Sequence, residues 1–136
     1  ETVATGKIPS DLLEKIIFLR GDSGSETLRE RIEQLSLREP VLVILDSAHN
    51  REHVLNELNS LSKLVSPGSF LIVNDTSWDS TPFRYKGTGP TAALEDFLKN
   101  NSQFELDVTL PRFMISCAVR GFLKRKAVDA VPLVAD

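Results

Sequence analysis

The run Val41-Leu42-Val43-Ile44-Leu45, closed by Asp46-Ser47-Ala48-His49, constrains this chain more than any other stretch. Five consecutive apolar residues, three of them β-branched, read as a strand buried on both faces, the state of a central parallel strand. Ser47 follows as a helix N-cap. Val54, Leu55, Leu58, Leu61, Leu64 and Val65 then mark one face of a long amphipathic helix. Pro67-Gly68 closes that helix and feeds a second strand, Ser69 to Val73, which ends in Asn74-Asp75. Residues at the carboxyl ends of parallel strands line the crevice in which open α/β sheets bind ligands. Alone, Asp46 would serve equally well as a turn residue. Two strand ends that both offer oxygen donors argue for one shared site, and oxygen donors suit a hard divalent cation.

The rest of the chain alternates in the same way. Ser10 opens a short helical turn, and Ile16-Ile17-Phe18-Leu19 reads as a strand broken by the Gly21-Asp22-Ser23-Gly24 turn. Leu28, Ile32 and Leu35 recur at helical spacing, which predicts a helix over residues 25–37 with a charged, solvated outer face. After Asp75 comes a loop of about fifteen residues, holding Trp78, Phe83 and Tyr85, and loops of that length are often functional. Pro90 suits the first turn of a helix that runs to Asn100 with Ala93, Leu94, Phe97 and Leu98 facing inward. Phe104 to Val108, Arg112 to Val119 and Gly121 to Lys124 are expected strands, the last two as one bent hairpin. Strand alternating with helix makes the chain α/β, with residues 1–125 as one domain and 126–136 as a tail.

At 136 residues and 41% apolar content there is material for one real core. A net charge of −3 gives no push toward nucleic acid or an anionic membrane, and no apolar run approaches the roughly 18 residues of a membrane span. The single cysteine, Cys117, excludes an internal disulfide framework and fits a reducing, cytoplasmic compartment. It lies in the apolar run from Phe113 to Val119, so it is expected as a buried structural thiol. His49 and His53 form an i, i+4 pair, but no third nitrogen or sulfur ligand stands near enough in sequence to suggest zinc.

Two stretches carry a resemblance. Leu45-Asp46-Ser47-Ala48-His49-Asn50-Arg51-Glu52-His53-Val54 and Pro67-Gly68-Ser69-Phe70-Leu71-Ile72-Val73-Asn74-Asp75-Thr76 resemble the cephalosporin hydroxylase family, whose members look like S-adenosylmethionine-dependent O-methyltransferases. Gly89-Pro90, Ala93, Asp96-Phe97-Leu98, Phe104, Asp107, Arg112-Phe113 and Gly121 to Arg125 continue the match in order, so it covers roughly residues 15–125.

The resemblance implies a Rossmann-like class I methyltransferase sheet, S-adenosylmethionine as methyl donor, and a magnesium ion held by acids at two strand ends. Carried over by position, Asp46 and Asp75 are the outer metal ligands. Asn74 stands where the family usually has Glu, and its amide brings one negative charge fewer. His49 matches a family histidine that could take the proton from an acceptor hydroxyl, although a first-turn histidine can equally well reach solvent. Asp22 and Ser23 fall where such enzymes contact the adenine ring, or they simply form a Gly-Asp-Ser turn. The family's glycine-rich cofactor loop and ribose-binding acid have no counterpart here. In its strand order, three-two-one-four-five-seven-six, the strand at 16–19 would be the third. The first two strands are then missing, and Glu1 is not an initiating Met, so a fragment or a processed product is expected. Such a piece should bind S-adenosylmethionine poorly by itself. The expected partner is a small hydroxyl-bearing molecule or sugar, and a homo-oligomer stays open. Two rivals remain. One is a phosphoryl-accepting receiver domain with Asp46 as acceptor and Thr76 as switch hydroxyl, although its acidic pair and its Lys are not evident. The other is a catalytically decayed domain, which Asn74 keeps open.

Overall fold

The computed structural model describes residues 9–77, 87–110 and 117–127. Four strands form one mixed sheet: β1 (Val43–Leu45), β2 (Phe70–Val73), β3 (Phe104–Leu106) and β4 (Phe122–Arg125), in the order β1-β2-β4-β3. β1 and β2 are parallel, with Val43 opposite Leu71 and Leu45 opposite Val73. β4 runs antiparallel to both β2 and β3. This α/β arrangement is compatible with the four-five-seven-six end of the expected strand order.

Four helices accompany the sheet: α1 (Ser10–Leu13), α2 (Glu26–Glu33), α3 (Arg51–Leu61) and α4 (Pro90–Asn100). α3 carries the apolar stripe read from the sequence. Val54, Leu58, Leu61 and, just beyond it, Val65 are buried against Leu45, Leu71, Val73 and Leu123 of the sheet and Ala93, Leu94 and Phe97 of α4. Phe97 stacks obliquely on Phe104 with ring centroids 5.6 Å apart, which joins α4 to β3. Pro90 occupies the first turn of α4, where its missing N–H costs nothing. Gly68 takes φ +81° in the turn into β2, a conformation that strains any residue with a Cβ.

Several expectations need correction. Among the described residues β1 is an edge strand with one open face, because the row Ile44-Ile72-Phe122 is not covered as the row Leu45-Val73 is; Ile44 is 57% exposed. Residues 16–19 form no strand. Among the described residues no strand flanks β1 on that side, so a ladder there would have no partner, and the exposed Ile17 and Phe18 run as irregular chain. The cap of α3 is Asn50, whose Oδ1 accepts the His53 N–H at 2.9 Å, rather than Ser47. Ser10 is the first residue of α1, which Pro9 precedes as cap. Cys117 is exposed: the part of the run 112–119 that is described, residues 117–119, belongs to a turn instead of a strand. The remainder of that run, the aromatic loop residues Trp78, Phe83 and Tyr85, and most of the tail lie outside the described residues.

Candidate functional site

The parallel pairing of β1 and β2 brings their carboxyl ends side by side, and the Asn74 N–H extends the ladder by one bond, to Leu45 O at 3.0 Å. Asp46 therefore leaves β1 beside the point where Asn74 and Asp75 leave β2. Asp75 adopts φ +57°, left-handed backbone that Asp tolerates better than most residues but that still costs about 1 kcal/mol. The next residue holds it there. Thr76 is buried, its hydroxyl donates to Cys117 O and accepts from the Arg120 N–H, both at 3.4 Å, and its carbonyl accepts from Thr91 Oγ1 at 2.8 Å.

His49 enters from the turn between β1 and α3. Its Nε2 lies 2.6 Å from Asp75 Oδ2 and 3.8 Å from Asp46 Oδ1. One donor atom from each of the three residues lies within 4.8 Å of the others. Donors that each sit 2.0–2.6 Å from one ion are at most about 4–5 Å apart, so the cluster is the right size for a single cation. Asp46 is open to solvent while Asp75 and His49 are mostly covered, which leaves an approach from one side only. The structure thus brings together Asp46, His49 and Asp75, and Asn74 lies next to them on the same strand end. His49 faces both carboxylates, a grouping that sequence spacing alone did not reveal.

Asp22 and Ser23 lie on a separate loop. Asp22 Oδ1 accepts the Gly24 N–H at 2.9 Å and Asp22 O accepts the Ser25 N–H at 3.1 Å, so the Gly-Asp-Ser turn is real. Ser25 then caps α2 by accepting the Leu28 N–H. Ser23 Oγ is 3.2 Å from His53 Nε2, which docks the loop on α3. Two further groups, not foreseen from the sequence, sit beneath it. Glu57 is 2% exposed and accepts a hydrogen bond from Ser47 Oγ at 2.8 Å. Ser60, also buried, reaches Glu26 at 3.4 Å. The available signal was the spacing of His53, Glu57 and Ser60 at i, i+4 and i+7, which puts all three on one face of α3.

The other side of α3 closes on the end of the long loop. Arg51 pairs with Asp96 on α4 through Nε at 2.8 Å and through Nη2, and its backbone N–H donates to Thr88 O at 2.7 Å. Hydrogen bonding to Arg51 is the main reason that the Asp96 carboxyl is held below its usual range. A cavity of about 330 Å³ lined by Asn59, Lys63, Asn101, Gln103 and Arg125 lies instead beside the amino end of β2, where Arg125 also donates to Val65 O. It does not adjoin the carboxylate cluster. No helix of the described residues is long and apolar enough to cross a membrane.

Two comparisons with known proteins converge on one family. The profile of the family described as Rhamnosyl O-methyltransferase/CmcI matches residues 6–126. The chain is 32% identical over 116 residues to the Rhamnosyl O-methyltransferase of Mycobacterium leprae (strain TN), covering 82% of this chain and 51% of that protein. It is 33% identical over 85 residues to the proteins of the same name from Mycobacterium bovis (strain BCG / Pasteur 1173P2) and Mycobacterium tuberculosis (strain ATCC 25618 / H37Rv), covering 60% of this chain and 35% of each. It thus spans about half the length, or less, of the curated relatives it matches. No solved structure matches it significantly. The matched segment contains both strand ends, the carboxylate cluster and the α3–α4 core, and the chain belongs to the Rhamnosyl O-methyltransferase/CmcI family.

Proposed function

We propose that the chain carries the metal-binding and proton-handling part of an S-adenosylmethionine-dependent O-methyltransferase that acts on a sugar hydroxyl. The convergence of Asp46, His49 and Asp75 at adjacent parallel strand ends, in a member of this family, supports the reading most. The substrate class follows the relatives' printed name, which specifies a rhamnosyl group.

The donor set fits a hard divalent cation: two carboxylates, with the neutral oxygen of Asn74 adjacent, would hold magnesium or manganese. When bound, such an ion lowers the pKa of an acceptor hydroxyl and orients it. S-adenosylmethionine supplies the electrophilic methyl group, and of its expected contacts this chain offers only Asp22 and Ser23. With Nε2–H of His49 directed at Asp75 Oδ2, 2.6 Å away, the ring's other nitrogen, Nδ1, would take the acceptor's proton, and the other oxygen of Asp75 remains for the cation. The carboxylate fixes the ring, so the base needs no search for its orientation at the moment of transfer.

The family match and the antiparallel β4 favour the methyltransferase reading over the receiver one. Thr76, its switch hydroxyl, is buried and engaged with Cys117 and Arg120. The decayed-domain reading is favoured by one observation, Asn74 in place of an acid, and the same assay decides it. The full-length natural protein is incubated with methyl-labelled S-adenosylmethionine and a rhamnosyl-bearing acceptor, with magnesium or with chelator. Label should pass to the acceptor only with metal, and Asp46→Asn should slow it at least about tenfold, the loss of roughly 1.4 kcal/mol. A protein that binds both cofactor and metal yet transfers no methyl group would establish the decayed reading instead.

A further inference from the structure

A buried carboxylate inside α3 has no role in the chemistry above. Glu57 is 2% exposed, and one of its oxygens, Oε2, has no hydrogen-bond partner among the described residues. Burying a charged group without full compensation is costly, so its retention needs a reason. Its other oxygen sits at a junction. Oε1 accepts from Ser47 Oγ at 2.8 Å, and Ser47 directly follows the metal acid Asp46. The same Oε1 lies 3.5 Å from His53 Nε2, one helical turn earlier. That nitrogen is also 3.2 Å from Ser23 Oγ, and the ring's Nδ1 is 3.9 Å from Asp22 Oδ1. The loop is pressed close at this point: a Cβ on Gly24 would stand 3.2 Å from Asn56 Cβ and 3.8 Å from the Glu57 nitrogen.

We propose that Glu57 and His53 are positioning residues that fix the 22–24 loop against α3 and tie it to the turn carrying Asp46. With its proton on Nε2, the His53 ring donates to Ser23 Oγ with Glu57 Oε1 alongside at 3.5 Å, and its Nδ1 faces Asp22 on the other side. A single buried carboxylate then registers two segments that are 24 residues apart in sequence, Ser47 by direct contact and Ser23 through the imidazole. This deepens the proposed function, because that reading gives Asp22 and Ser23 to the cofactor and Asp46 to the metal. The loop's own geometry nevertheless stands apart from that reading.

The test uses the full-length natural protein and its His53→Ala and Glu57→Gln variants. Two readouts are amide hydrogen exchange without cofactor and calorimetric titration with S-adenosylmethionine; kcat and KM supply the third. The Gly24 and Ser25 N–H groups, bonded to Asp22, report the loop. They should exchange about tenfold faster or more in His53→Ala, and by a smaller factor in Glu57→Gln, which keeps the shape and the Ser47 contact. Amides of β2 and β4 should not change. Cofactor binding should weaken by about five- to thirtyfold, appearing in KM while kcat stays within about twofold, as expected for lost positioning contacts of one or two hydrogen bonds. Unchanged Gly24 and Ser25 exchange in both variants would overturn the proposal. So would faster exchange spread through β2 and β4, which would make the pair a folding element only. If the unmutated protein binds no S-adenosylmethionine, the functional reading fails while the exchange result still decides the positioning role.

Discussion

Replacing Gly121 by Ala isolates the contact that holds the site strand in the sheet. A Cβ at Gly121 would fall 1.9 Å from Val73 O, 3.0 Å from Val73 C and 3.1 Å from Ala118 Cβ, where real Cβ atoms stay beyond 3.0 Å. The obstacle is backbone, so no rotamer change relieves it, and the two chains must part by about 1 Å or more. The Val73 N–H donates to Gly121 O at 2.8 Å, and Val73 is 1% exposed. Parting the chains leaves that donor and acceptor unpaired in a dry place, which costs about 1–3 kcal/mol, and overpacking beside Ala118 adds about 1–3 more. The expected loss is therefore about 2–6 kcal/mol, or roughly 5–25 °C in Tm. Thermal and urea denaturation of the full-length protein measure it. Gly68→Ala is the control: its φ of +81° is strained for Ala, but nothing lies within 4 Å of the new Cβ, so about 1 kcal/mol is expected. If Gly121→Ala costs no more than Gly68→Ala, the close approach of residue 121 to β2 is not as described.

Leu58→Ala should destabilise by about 2–5 kcal/mol in urea denaturation, since Leu58 is fully buried between the sheet and α4 and its removal leaves a cavity. The Glu26 carboxyl, hydrogen-bonded first to Arg29 and then to Lys63, is held down at about 2 from its ordinary 4.5. Because the folded value is the lower one, its contribution to stability is complete above pH 4.5 and is lost as pH falls toward 2. Carboxyl carbon shifts followed by NMR should show Glu26 still ionised near pH 3.5 and returned toward its ordinary value in Arg29→Met.

Much of the fold was legible because its signals are local. The apolar run before Asp46, the stripe from Val54 to Val65 and the Pro67-Gly68 stop each specify an element without knowledge of its neighbours. What depended on neighbours was misread. Ile16 to Leu19 has the composition of a strand, but a strand exists only when another pairs with it. Five apolar residues suggested burial on both faces of β1, yet among the described residues nothing covers the face that carries Ile44, a fact that only the packing of the layers discloses. Cys117 followed the same pattern: an apolar run suggested the core, and a turn brought it to the surface. At the site, the carboxylates at 46 and 75 announced themselves as strand ends. The contact of His49 with Asp75 spans 26 residues and follows from the left-handed backbone at Asp75, which no motif encodes. Glu57 read as one more helix charge, because an i, i+4 pair with His53 usually lies on a solvated face.

The central claim is that Asp46 and Asp75, with Asn74 beside them, hold one divalent cation next to His49, and manganese titration of the full-length protein tests it most directly. The unmutated protein, Asp46→Asn and Asn74→Glu would be followed by calorimetry and by the loss of the free-ion electron paramagnetic resonance signal. One saturable site is expected in the unmutated protein. Asp46→Asn should weaken it at least about tenfold, through loss of a charged ligand, and Asn74→Glu should tighten it by restoring a charge beside a dication in a partly covered cleft. If neither substitution alters the affinity, these strand ends hold no metal, and Asp46 is a turn residue at the end of β1.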